Sequence, residues 1–461
     1  MTILERARNV LPAFCATLLV LMSVATAQQN PAQQESAQQP FVFGDALPDA
    51  PELAARGPHG VGVRTARVVN PDELNVLAVT PENPNPRYDR PLTLEVFYPG
   101  VVPAGERERT VYRDVYGYGP DNRERPNLPL VFPGRALRGA APDLDAAPYP
   151  LVVLSHGYPG SRLMMTYLAE NLASKGYVVA AVGHTDSTFE NVGAFSSTLV
   201  NRAKDQLFVI DELSRRAESE GFLGGLVDAD NSAIIGYSMG GYGALNAGGA
   251  GYSGAAAETA FVPPGALTPR VTGNFEPDPR VKAVVAFAPW GGPAALEAVG
   301  VPGLSFFEPG GLAGLRVPTL FVVGDEDDVS GYEGGVKTLF DGAVNAERFL
   351  LVYGNARHNT APNPPLPDAP TFDEYSRYAE FAWDARRINN INQHFVTAFL
   401  DRTLKGRDTS RYLELVERSE DGVWAQNDDG TSLPEHSYWT GFRNRTAVGL
   451  EFYTRSPQTA E

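Results

Sequence analysis

The sequence predicts an α/β protein: a mostly parallel sheet of about eight strands with helices on both faces. Three observations predict it. From Pro150 onward, short continuous apolar runs alternate with helix-like stretches, as in strands buried on both faces and joined by crossover helices. One of these runs, "SAIIGYS", passes directly into Gly236-Tyr237-Ser238-Met239-Gly240 and a helix-compatible stretch. The composition is 43% hydrophobic and 20% charged over 461 residues, that of a soluble chain long enough for one large core.

The elements follow in chain order. Residues 1–27 read as a signal peptide: Arg6 and Arg8 precede the short apolar run "LPAFCATLLVLMSVA", and Ala25-Thr26-Ala27 supplies the cleavage pattern. The expectation is therefore a secreted or periplasmic protein, with no stable membrane insertion once the signal is removed. Residues 28–56, opening with "QQNPAQQESAQQP", read as a disordered Gln/Pro-rich leader. Residues 57–406 read as one catalytic domain and 407–461 as an acidic extension packed on it.

Within the domain, "LTLEVFYPG" alternates as an antiparallel strand does, and "GVGVRTARVV" is its expected partner. Residues 100–150 are crowded with Pro, Gly and Arg and read as a long excursion holding one strand, Thr110 to Tyr116. "PLVVLSHG" is a buried strand. In "SRLMMTYLAENLASKG", Met164, Leu168 and Leu172 repeat every four residues and Gly176 suits the C-terminal cap. "YVVAAVG", "VKAVVAFAPW", "VPTLFVVGD" and "ERFLLVYG" are further strands. "STLVNRAKDQLFVIDELSRRAE" and "AEFAWDARRINNINQHFVTAFLDRTLKG" are long helices, the second closing the core.

The formal net charge of −17 argues against non-specific nucleic-acid binding and against docking on an anionic membrane. The single cysteine, Cys15, falls in the signal segment, which leaves neither disulfides nor thiolate chemistry to the mature chain. No His/Asp/Glu spacing resembles a metal site and no glycine loop matches a nucleotide cradle. The expectation is a small-molecule substrate and neither metal nor cofactor.

A serine between two glycines where a strand turns into a helix has a physical purpose. The corner residue is forced into strained backbone geometry, small neighbours relieve the clashes, and the hydroxyl is held up at the C-terminal sheet edge. Ser238 is the expected nucleophile. Where a sheet carries such an elbow, the acid and then the histidine follow the nucleophile in sequence. Of the six histidines, His358, His394 and His436 come after Ser238, and His358 lies in the loop after the last core strand. "VPTLFVVGDEDDVSGY" offers Asp325, Glu326, Asp327 and Asp328; Gly324 followed by two residues points to Asp327, with Asp328 next. The amide of Met239, after the nucleophile, and that of Tyr158, in "HGYPGSR", are the expected oxyanion donors. His156 reads as a brace for that loop and His184 as a buried structural residue.

In this order, "PLVVLSHGYPGSRLMMTYLAENLASKGYVVAAVGHTDST", "IIGYSMGGYGALN", "PTLFVVGDEDDVSGY" and "NARHN" resemble the platelet-activating-factor acetylhydrolase and dienelactone-hydrolase-like branch of the α/β-hydrolases. The resemblance spans about Gly60 to Gly406 and implies a carboxylic-ester hydrolase without a cofactor. Dienelactone hydrolases often carry a cysteine nucleophile; Ser238 in its place favours an esterase. "APWGG" also looks like the segment that carries a substrate-facing tryptophan in secreted polyester hydrolases, which implies that Trp290 walls the acyl site. A serine peptidase or amidase of the same fold, and a catalytically inactive binding protein, are the competing readings.

Overall fold

Strand alternation sets the entry to the sheet. β1 (Val61–Leu74) and β2 (Arg87–Val101) pair antiparallel, from Val61 opposite Pro99 to Leu74 opposite Arg87. β3 (Thr110–Tyr116) and β4 (Leu128–Gly134) form a separate hairpin. The two-residue strands β5 (Leu137–Arg138) and β6 (Ala141–Pro142) lie beside β1 and β2. The chain then turns parallel, through β7 (Tyr149–Ser155), β8 (Val178–Gly183), β9 (Val227–Tyr237), β10 (Val281–Phe287), β11 (Thr319–Gly324) and β12 (Arg348–Tyr353). The order from β12 to β1 is β12-β11-β10-β9-β7-β8-β2-β1, eight strands of the mostly parallel sheet expected. This computed structural model describes residues 41–458 except 118–121, 124, 125 and 220; the signal segment, and the leader as far as Pro40, lie outside the described residues.

Helices cover both faces because the strands are apolar on both. α1 (Thr166–Ser174) packs on one face. α2 (Phe195–Ala217) and α3 (Met239–Ala247) pack on the other. Five short helices follow: α4 (Gly254–Ala257), α5 (Pro293–Ala298), α6 (Pro309–Leu312), α7 (Lys337–Gly342) and α8 (Phe372–Ser376). The closing helix α9 (Ala385–Lys405) joins α1 on the first face. It starts at the Asp384 cap, whose carboxylate accepts from the Arg386 amide, so residues 379–384 are not helical as the sequence pattern predicts.

Three further sequence expectations change. The leader does not run to residue 56 as a disordered segment: the chain packs from Val42 onward. Asn390 accepts the Leu47 amide at 2.9 Å, and Asp45 pairs with Arg135 at 2.6 Å. Composition hid this because the apolar anchors are few. Second, the excursion contains β4 as well as β3. It is fastened to α1 at Glu170, which accepts from Tyr112 Oη at 2.6 Å and from the Arg135 amide at 2.9 Å. Burial pushes the Glu170 carboxyl up to about 7. Third, the C-terminal extension contributes β13 (Leu450–Arg455), antiparallel to β12, and so extends the sheet by one strand. No helix among the described residues is long and apolar enough to cross a membrane.

A polar cluster is buried where β2, β7, β8 and α2 meet. Arg90 grips Asp205 with Nε to Oδ1 at 2.8 Å and Nη2 to Oδ2 at 2.9 Å. Asp205 accepts from His184 Nδ1 at 2.9 Å, and His184 Nε2 lies 2.8 Å from Ser155 Oγ. Arg90, Ser155, His184 and Asp205 are each at most 1% exposed. Burial opposes the Asp205 charge, but Arg90 outweighs it and holds the carboxyl far below its usual range. His184 is pulled down to about 3, chiefly by burial. It is therefore neutral at pH 7: Nδ1–H donates to Asp205 and Nε2 accepts from Ser155.

Removing one partner of such a cluster strands the others without water. Asp205→Ala is expected to cost about 3–5 kcal/mol of unfolding free energy. Asp211→Ala, whose carboxylate is 62% exposed beside Arg280, is expected to cost at most about 1 kcal/mol. Denaturant unfolding of the two variants checks the contrast; equal losses would remove the special role of the buried cluster.

Candidate active site

The elbow is built by close backbone approach. Ser238 sits between β9 and α3 at φ 54° and ψ −114°, strained geometry that persists only where the surroundings fix it. Its amide donates to Phe287 O at 2.9 Å and its carbonyl accepts from the Trp290 amide at 3.2 Å, so the corner is tied to the end of β10. A side chain at Gly236 would strike the Gly240 carbonyl. One at Gly240 would strike the carbonyls of Ser155 and His156. Both glycines are therefore required by the packing of the turn against β7.

Ser238 Oγ lies 3.0 Å from His358 Nε2. His358 Nδ1 faces Asp327, 3.0 Å from Oδ1 and 2.9 Å from Oδ2. With Nδ1–H pointed at a carboxylate, Nε2 is the nitrogen left to accept from the serine. Asp327 Oδ1 also accepts the amides of Val329 at 2.9 Å and Ser330 at 2.8 Å. Burial acts against its charge, but His358 and these two amides prevail and hold the carboxyl below the usual range. Asp328, the second candidate, turns outward and pairs with Arg357 at 3.0 Å. Asp325 accepts the Asn355 amide at 2.6 Å, and neither contacts His358.

The His358 loop lies against the end of β11 because Gly324 carries no side chain; a Cβ there would strike the backbone of Ala356 and Arg357. Tyr237 packs beside the imidazole, ring centres 5.2 Å apart, and donates to Asn359 Oδ1 at 3.0 Å. Glu380 accepts the Arg357 amide at 2.8 Å. A cleft of about 180 Å³ opens over Ser238 and His358. Gly157, Tyr158, Pro159, Met164, Phe189, Tyr237, Val329, Asn359 and Arg377 complete its lining.

Tyr158 lines this cleft, and Met239 follows Ser238 at the start of α3. Among the described residues, no protein acceptor takes either amide. Gly157 brings the Tyr158 loop close: a Cβ on it would lie 3.3 Å from the Ser238 Cβ. The Tyr158 side chain is pinned away from the serine, its hydroxyl donating to Gly193 O at 2.6 Å. His156 is buried, with Nδ1 2.7 Å from Gly157 O. His394 is likewise buried, accepting the Leu53 amide at 3.2 Å, and His436 accepts the Ala425 amide at 3.1 Å.

Trp290 corrects the sequence expectation. It is 5% exposed and does not line the cleft. Its indole packs against Phe195, Phe306 and Tyr242, with ring centres at 5.3, 5.5 and 6.1 Å. Phe306 folds back over this ring, its amide donating to Gly291 O at 3.0 Å. Tyr158 reaches Phe195 at 5.1 Å, so Trp290 is two rings removed from the cleft. No motif around Trp290 reveals the returning Phe306-Phe307 segment.

Sequence reading missed the residues behind the His156–Tyr158 loop. Arg202 donates from Nη1 to His156 O at 2.6 Å and from Nη2 to Gly157 O at 3.4 Å, and it also bonds the Ser187 hydroxyl. The available signal was the polar stripe Asn201, Arg202, Asp205 and Gln206 on an otherwise amphipathic helix; all four are buried. A stripe of such residues at helical spacing reads as a solvated face unless the partner surface is known.

Trp290→Ala is expected to cost about 3–5 kcal/mol, the range for deleting a large buried aromatic. Thermal unfolding checks this. An unchanged melting temperature with activity lost only on bulky substrates would return Trp290 to the cleft wall.

The model of the family "Platelet-activating factor acetylhydrolase, isoform II" matches residues 140–219, a stretch that carries the His156–Tyr158 loop and Arg202 and ends before Ser238. No curated protein sequence matches the chain. Among solved structures, a ferulic acid esterase from Streptomyces cinnamoneus is 23% identical, over 78% of this chain and 94% of that chain, with a TM-score of 0.49. By its strand order and elbow this is an α/β-hydrolase fold, and in the matched residues the chain is similar to platelet-activating factor acetylhydrolase, isoform II.

Proposed function

We propose that the protein is a serine hydrolase that cleaves carboxylic esters through an acyl-enzyme. The observation that carries this reading is the continuous series Ser238 Oγ, His358 Nε2 and Asp327, at 3.0 and 2.9 Å, with the serine on a strained elbow inside an open cleft. The family match over residues 140–219 supports the ester class.

In the first half-reaction the Ser238 oxygen attacks the ester carbonyl carbon while its proton passes to His358 Nε2. Asp327 fixes the imidazole tautomer and stabilises the ring once it is charged. The negative charge that develops on the carbonyl oxygen is received by the amides of Tyr158 and Met239. The carbon–oxygen bond to the alcohol breaks, and the alcohol leaves with the proton held by His358. Water then repeats the sequence on the acyl-enzyme: His358 takes its proton, the acid is released, and the proton returns to Ser238. We further propose export as the setting, on the strength of the signal-like residues 1–27 and the lone cysteine within them.

The cleft volume bears on substrate size. About 180 Å³ is below the range usual for drug-sized ligands, and the walls include Met164, Phe189 and Val329. A short apolar acyl group fits this space.

Ser238→Ala and His358→Ala are each expected to lower ester turnover by about 10³-fold or more with folding retained, and the double variant to be no worse than either. Hydrolysis of p-nitrophenyl acetate, together with labelling by a fluorophosphonate, checks both. Near-normal turnover by pure Ser238→Ala protein would end the mechanism.

Asp327→Asn is expected to be far more damaging than Asp328→Asn or Asp325→Asn, since only the first removes the carboxylate facing His358. In a p-nitrophenyl series the rate is expected to fall as the acyl chain lengthens beyond butyrate. A maximum at long chains would show that the substrate extends outside this cleft.

A further inference from the structure

Arg202 has no place in the steps just given, yet it is buried against the oxyanion loop. We infer that Arg202 is a positioning residue: by gripping the carbonyls of His156 and Gly157 from behind, it aims the Tyr158 amide into the cleft. The inference rests on the serine-hydrolase reading above and specifies how one of its donors is oriented.

The geometry follows from the peptide plane. In a trans peptide the C=O of one residue and the N–H of the next point in opposite directions. The Gly157–Tyr158 bond is trans; of the neighbouring bonds only Tyr158–Pro159 is cis. Gly157 O is held by His156 Nδ1 at 2.7 Å and faces Arg202 Nη2 at 3.4 Å, both on the buried side. The Tyr158 N–H therefore points the other way, toward the cleft that Tyr158 and Ser238 share. Glycine at 157 gives the loop no side chain of its own to fix this plane, so an external grip is required.

The grip is itself fixed in place. Arg202 Nη1 holds His156 O at 2.6 Å, and the guanidinium also bonds Ser187 Oγ, which accepts from Thr198 Oγ1 at 3.1 Å. The His184 amide donates to His156 Nε2 at 3.3 Å. That bond leaves the ring proton on Nδ1, the nitrogen that faces Gly157 O. His156 is kept neutral by burial first and by the Arg202 charge second, so its tautomer is constant near neutral pH. The guanidinium fork suits two adjacent carbonyls in a way that a point-charge ammonium does not.

The test separates aiming from mere stability. A trifluoromethyl ketone of the preferred acyl chain forms a hemiketal: Ser238 Oγ bonds the carbonyl carbon, the serine proton moves to His358 Nε2, and the ketone oxygen becomes the oxyanion. The corresponding alcohol fills the same cleft without an oxyanion. For Arg202→Met, kcat is expected to fall about 30- to 100-fold with KM within about twofold. Ketone affinity is expected to fall in step with kcat/KM while alcohol affinity holds. Arg202→Lys is expected to recover only part of the loss.

Where Arg202→Met does not fold, Ser187→Ala, which removes one anchor of the guanidinium, is expected to show the same split at about two- to fivefold. Ketone and alcohol weakening equally, or kcat unchanged at temperatures where the variant is folded, would overturn the inference. In either case Ser238-dependent turnover in the parent protein would leave the hydrolase reading standing. Ester turnover that survives Ser238→Ala would instead overturn the hydrolase reading and this inference together.

Discussion

Backbone-to-backbone contact between the end of β7 and the start of α3 governs the geometry of this molecule's site. Gly240 lies against the carbonyls of Ser155 and His156, and Gly236 lies against Gly240. That approach lets the chain reverse from strand to helix within one residue and holds Ser238 at φ 54°. It also places the loop after β7 beside the serine, so Ser238 and the Tyr158 amide are set by one contact. A methyl group at either glycine would separate them.

Two polar assemblies work from opposite sides of this contact. On the solvent side, Asp327, His358 and Ser238 form a series that opens into the cleft. On the buried side, Arg90, Asp205, His184 and Ser155 form a second series of similar residue types, closed to water. The chemistry of the two differs because of access. His184 is desolvated and held neutral, with its hydroxyl partner facing no cleft, whereas His358 meets a hydroxyl on the cleft wall. The buried series carries charge for structural ends: it holds α2 against β2, β7 and β8, and through α2 it carries Arg202 to the His156–Tyr158 loop.

The sheet edges are finished by segments outside the repeating part of the fold. β13 pairs with β12, covering an edge that would otherwise present unpaired backbone groups. The β3–β4 hairpin is fastened over α1 through Glu170. The segment from Val42 is anchored on α9 by Asn390 and His394. These attachments leave the C-terminal ends of β7, β9, β11 and β12 to form the site.

The sequence alone determined the sheet class, the elbow and the choice of Asp327 over its acidic neighbours. Those features depend on local periodicity, on glycine spacing and on chain order, all of which are written along the chain. His358 was legible for the same reason, as the histidine that follows the last core strand. Only the tertiary structure decided the fate of Trp290, because Phe195 from α2 and Phe306 from beyond α5 pack against it. It alone showed β13 and β4, whose pairing partners are distant or irregular in sequence, and the packing of residues 42–56. It alone showed that Asn201, Arg202, Asp205 and Gln206 face inward. A polar stripe on a helix reads as solvated until the surface opposite is known to offer a second arginine, a neutral histidine and three backbone carbonyls that pair with it.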